Sequence, residues 1–133
     1  MDQCGSEKTY PAFFPKGVPP PDAHAASGRA FRFVGCCPPS AADFLPSIQE
    51  HRGLDSSDPD AYGVSFFQQI DGCRAIARRY KKAFEKKMVV NGVLMSTFGV
   101  MKSTPSSSHA SHISVWLYVA SGIENNFTKV ESL

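Results

Sequence analysis

At Met88 the sequence changes period. Before it, Cys73, Ile76, Ala77, Tyr80, Ala83, Phe84 and Met88 recur at three- and four-residue spacings, the mark of one face of a helix. After it, alternation takes over. His112 to Val119 places Ile113, Val115, Leu117 and Val119 on one side and His112, Ser114, Trp116 and Tyr118 on the other. A helical stripe and late strands must bury their apolar faces against each other. The pattern therefore predicts an α+β domain: a mostly antiparallel sheet of about five strands, covered on one face by one long amphipathic helix over 72–87 and one short helix. With 10 Gly and 10 Pro in 133 residues, a coiled coil or helical bundle is excluded.

The remaining elements follow from local signals. Arg29 to Val34, bounded by Gly28 and Gly35, reads as a first strand with Phe31 and Phe33 on one face. Ser40 ahead of Ala41, Ala42 and Asp43 is an N-cap pattern for a short helix through Phe44, Leu45, Ile48 and Gln49, or for one that starts at Pro46. Tyr62 to Phe67 reads as a second strand, and Asp71 as the cap of the long helix. Asn91-Gly92 predicts either a two-residue hairpin turn or one longer strand broken at Phe98-Gly99. Pro11, Pro15, Pro19, Pro20 and Pro21 make residues 1–28 a Pro-rich extended arm, anchored by Tyr10, Phe13, Phe14 and Val18, or else a disordered terminus. Residues 29–133 then form a single domain.

Address and redox state come from what is missing. No stretch approaches the roughly 20 apolar residues of a membrane span, and the opening residues carry neither a basic nor an apolar leader pattern, so a soluble cytoplasmic protein is expected. Cys4, Cys36, Cys37 and Cys73 match no disulfide framework and read as reduced. His109-x-x-His112 is the one ligand-like spacing, and no metal is expected.

Charge is unevenly spread. Residues 1–70 carry 5 Lys/Arg against 8 Asp/Glu, and residues 71–133 carry 9 against 4. Seven of those nine crowd into one segment: Arg74, Arg78, Arg79, Lys81, Lys82, Lys86 and Lys87. On a helix they take the face opposite the apolar stripe, where those in the last turns also suit the helix dipole. Arg74, Arg78, Arg79, Lys82 and Lys86 are the candidate contacts for an acidic protein or a polyanion. No aromatic residue interleaves with them, so contact with nucleic acid would be electrostatic and non-specific.

The common phosphate-binding, acyl-transfer and metalloprotease motifs are absent. Ser108-His109-Ala110-Ser111-His112 stands at the mouth of the last strand, where a histidine could act as general base or simply pack beside Trp116.

Arg32 on the first strand, Ser65 on the second and Glu124 near the end resemble, in order, the ADP-ribosyltransferase-like folds. That resemblance implies NAD as cofactor, held by Arg32 or His112, with Ser65 bracing the site and Glu124 activating the acceptor. Ser65 is followed here by Phe66 rather than by Thr-Ser, and Glu124 lacks a paired Glu or Gln. More broadly, Phe13-Phe14-Pro15 with Pro19-Pro20, Phe31-Arg32, Pro38-Pro39 with Asp43-Phe44, Gly63-Val64-Ser65-Phe66-Phe67, Gly92-Val93-Leu94, Gly99-Val100 with Thr104, and Ser111-His112 before Trp116 resemble a loose group of short bacterial proteins with no assigned activity. In that group a cysteine precedes the Gly-Leu-Ser segment, where this chain has Tyr62, and paired histidines precede paired tryptophans, of which one each remains in His112 and Trp116.

The expectation is a small non-enzymatic accessory or regulatory domain that binds an acidic partner or polyanion and needs no cofactor. The alternative is a nucleotide- or NAD-binding enzyme in which Arg32, Ser65 and His112 converge.

Overall fold

The computed structural model describes residues 8–51, 53–106 and 109–133; Cys4 and Ser108 lie outside the described residues. In chain order the elements are β1 (His24–Ala25), β2 (Gly28–Val34), α1 (Ser47–Glu50), β3 (Val64–Phe67), α2 (Ile70–Arg79), α3 (Lys81–Phe84), β4 (Met88–Leu94), β5 (Gly99–Ser103), β6 (His112–Leu117) and β7 (Lys129–Glu131). Single 3-10 turns occur at Ala41–Phe44, Pro59–Tyr62 and Ile123–Asn125. The strands form one sheet in the order β1-β5-β6-β3-β2-β4-β7, and every pair is antiparallel.

The α+β class and the antiparallel sheet stand, but the sheet has seven strands rather than about five. Both additions are edges, β1 and β7, of two and three residues. Strands this short leave few unpaired backbone groups at the margin of an open sheet.

Asn91-Gly92 makes no turn. Asn91 stands opposite Phe31 and Gly92 opposite Ala30 in the middle of β4, which runs unbroken along β2. Tertiary packing overrides the turn preference of the pair. A Cβ on Gly92 would lie 2.3 Å from the Asn126 carbonyl oxygen and 2.8 Å from the Phe127 ring, so the glycine makes room for the segment laid across it.

The helical segment also departs from expectation. In place of one helix over 72–87 there are α2, the only helix of seven residues or more among the described residues, and the four-residue α3. Tyr80, at φ −127° and ψ 59°, breaks the run between them. The helix begins earlier than the Asp71 signal suggests, with Gln69 as N-cap, and the Asp71 carboxylate accepts from Arg74 instead. The short helix over 41–49 is likewise divided into the Ala41–Phe44 turn and α1, with Pro46 at the N-cap of the latter. There the missing proline N–H costs no hydrogen bond.

Both faces of the sheet are covered, not one. Ala30, Val34, Val64, Phe66, Val90, Leu94, Ile113 and Val115 fill one face beneath Phe44, Phe98, Ile123 and Phe127. The other face is shared. At its β2–β4 end Phe31, Phe33, Phe67 and Val89 pack against Cys73 and Ile76 of α2, and Phe33 meets Phe84 at 4.4 Å between ring centroids. At its β5–β6 end Trp116 and Val100 are covered by Tyr62, Ile48 and the residues Tyr10, Phe14, Val18 and Ala23. The Pro-rich segment from residue 8 onward thus supplies core side chains, and Val119 N–H donates to the Thr9 carbonyl at 2.8 Å.

Candidate functional site

Arg32 belongs to the core face, and its exposure is only 6%. β2 and β3 are joined through one position, Phe31 opposite Phe67. At the next residue of β2 the guanidinium occupies the gap between the strands. Nη1 donates to the Ser65 carbonyl, Nε to the Asp43 carbonyl and Nη2 to the Glu50 carboxylate, each at 2.8 Å. The rings of Phe44 and Phe66 both lie 5.7 Å from the guanidinium carbon. Burial lowers the Arg32 pKa, and the charge and hydrogen bond of Glu50 oppose that shift. All three nitrogens are thereby engaged within the fold, tying the Ala41–Phe44 turn and α1 to the sheet.

Ser65 meets Arg32 through its carbonyl alone. Its hydroxyl points to the opposite face and lies 3.1 Å from that of Ser47. His112, paired across the ladder with Phe67, is on that second face too. Its Nδ1 stands 2.9 Å from the Thr104 carbonyl and 3.0 Å from the Thr104 hydroxyl, which in turn lies 2.9 Å from the Ser114 hydroxyl. Nδ1 therefore carries the hydrogen donated to the carbonyl. Burial lowers the His112 pKa, against smaller opposing effects of the Thr104 hydrogen bond and the Asp60 charge. Arg32 and His112 thus occupy opposite sides of the sheet, and Arg32, Ser65 and His112 share no common cavity.

The basic side chains are placed otherwise. Arg74, Arg78, Arg79, Lys81, Lys82, Lys86 and Lys87 are all exposed, although Arg74 gives part of its charge to Asp71 at 3.2 Å and Arg79 lies over the Tyr80 ring at 5.4 Å. Phe84 and Ile76 turn inward from the same segment. The break at Tyr80 exposes that ring, but on either side of it Ile76 and Phe84 still face inward while the cations face outward.

Glu124 lies in a third place. A cleft of about 440 Å³ separates the arm from the Ala41–Phe44 turn, α1 and the loop after β6. Phe13 and Phe14 form one wall, Phe44 and Leu45 another, and Val119 and Glu124 a third. Phe13 is 44% exposed, Leu45 37% and Val119 53%, so the rim is apolar and open to water. The sequence pattern misses this cleft because it assigns Val119 to an inward strand face. β6 ends at Leu117, and Ala120, at φ 53°, turns the chain away. The run of small residues Ala120-Ser121-Gly122 is the signal that marks the turn.

Among the described residues no group of three or more His, Cys, Asp or Glu side chains could hold a metal ion, and no helix is long and apolar enough to cross a membrane. No family model, curated protein or solved structure matches the chain.

Proposed function

We propose that the protein is a small non-enzymatic accessory or regulatory domain whose surface over Arg74, Arg78, Arg79, Lys82 and Lys86 binds an acidic partner or polyanion. One observation carries the reading: a segment with seven cations and two acids, Asp71 and Glu85, presents all seven cations to solvent while Cys73, Ile76 and Phe84 pack against the sheet. Such a surface attracts anions over about a Debye length and releases counterions when it binds a polymer. The segment is backed by a packed sheet, so its cations are displayed on a fixed support.

The direct test is binding of heparin and of poly-glutamate to the wild type and to the double variant Arg78→Glu, Lys82→Glu. Both side chains are exposed, so the variant keeps its fold. Binding by the wild type and its loss in the variant support the reading, and the preferred polymer distinguishes sulfated or phosphate-like polyanions from acidic protein. Absence of binding to both polymers at low ionic strength would refute it.

A further inference from the structure

The cleft lined by Phe13, Phe44, Leu45, Val119 and Glu124 lies apart from the basic segment and has its own chemistry. Its volume, about 440 Å³, is within the range of small-molecule sites. Aromatic rings and aliphatic side chains make up most of its wall, and among the described residues that line it there is no Lys, Arg or His. Glu124 supplies its one carboxylate, and this half-buried side chain has neither an ion-pair nor a hydrogen-bond partner among the described residues. Three other carboxylates do find partners: Asp43 accepts from the backbone of Gly35 and Ser40, Glu50 from Arg32, and Asp22 meets Lys102.

Two further features mark the cleft as shaped. Ala120, the one non-glycine described with positive φ, lines it, a backbone conformation that L-residues with a Cβ seldom adopt. Arg32 fastens the opposite wall, since its bonds to Asp43 and Glu50 hold the residues on either side of Phe44, Leu45 and Pro46. The walls are therefore held in place without a ligand.

We infer that this cleft binds an organic cation, an ammonium group carried on an apolar body, with the body against Phe13, Phe44 and Leu45 and the charge at Glu124. Apolar contact supplies most of the attraction, while the Glu124 carboxylate selects the sign of the charge. A neutral ligand of the same shape would keep the first contribution and lose the second, and an anion would meet repulsion.

The test is a titration followed by amide chemical shifts of the full chain, with three probes of one shape: phenethylamine, phenethyl alcohol and phenylacetate. The amine is expected to shift amides in 117–124 and 44–49 and to bind roughly fivefold or more tightly than the alcohol, with phenylacetate weakest. In Glu124→Gln that preference should vanish while the alcohol binds as before. Because the alcohol reports on the cleft in both proteins, loss of selectivity is distinguished from loss of fold. Equal binding of amine and alcohol to the wild type, a preference that survives in Glu124→Gln, shifts confined to 74–87, or no shift with any probe would each overturn the inference. None of these results bears on polyanion binding, which uses other residues.

Discussion

Arg32 and Glu50 form an ion pair at 2.8 Å in which the arginine side chain is 6% exposed and the glutamate 28%. The pair bridges strand β2 and helix α1, and the same guanidinium also satisfies two backbone carbonyls. Removing the cation would leave the Ser65 and Asp43 carbonyls without this donor, whereas removing the carboxylate leaves a cation that keeps both. Arg32→Ala should therefore lose about 3 kcal/mol or more of unfolding free energy, and Glu50→Gln distinctly less, because the guanidinium then keeps both carbonyls and the new amide oxygen can still accept from it. Urea unfolding of both variants checks the order. Equal losses would show that the ion pair, rather than the carbonyl contacts, carries the stabilisation.

Gly92 offers a sharper steric prediction. With a new Cβ 2.3 Å from the Asn126 carbonyl oxygen, Gly92→Ala must displace the segment that carries Phe127, a fully buried ring. The expected loss is about 1–3 kcal/mol, typical of overpacking. Gly17→Ala makes no contact within 4 Å at its new Cβ, and any loss there reflects only its φ of 89°. Thermal melts of the pair separate crowding from backbone strain, and Gly92→Ala melting like the wild type would show that residues 126 and 127 do not rest on β4.

The same glycine shows what a sequence can reveal of such a fold. The alternation from His112 to Leu117 is legible because each residue of β6 faces a differently composed layer, Ile113 and Val115 toward one and Trp116 toward the other. Arg29 to Val34 is legible for the same reason. Asn91-Gly92 carries a local turn preference that long-range pairing with Phe31 and Ala30 overrides, and no short window contains that pairing. Helical spacing passes through Tyr80 uninterrupted, because Ile76, Tyr80 and Phe84 keep the period while the Tyr80 backbone leaves the helical region. Of the candidate residues, the exposed cations follow from the amphipathic pattern. Arg32 does not, since an arginine between Phe31 and Phe33 reads as the outward member of an alternating strand, and only the fork between β2 and β3 gives it buried partners.

His112 predicts a pH dependence. Burial lowers its pKa in the folded protein below the ordinary histidine value, so near and below that value the unfolded chain binds more protons than the folded one. The stability held by neutral His112 is then fully present above about pH 6.5 and falls as the pH drops below it. His112→Gln should flatten this part of the profile. Urea midpoints across the mildly acidic range check it, and a wild-type midpoint that rises on acidification would contradict the assignment.

The central claim is that the exposed cations of 74–87 form a binding surface, and the salt dependence of heparin binding tests it most directly. For the wild type, the logarithm of the association constant should fall steeply and linearly with the logarithm of salt concentration. In Arg78→Glu, Lys82→Glu the affinity should drop and the magnitude of the slope should decrease by roughly two, about one for each contact removed. No binding by the wild type at low salt, or equal slopes for the two proteins, would contradict the account.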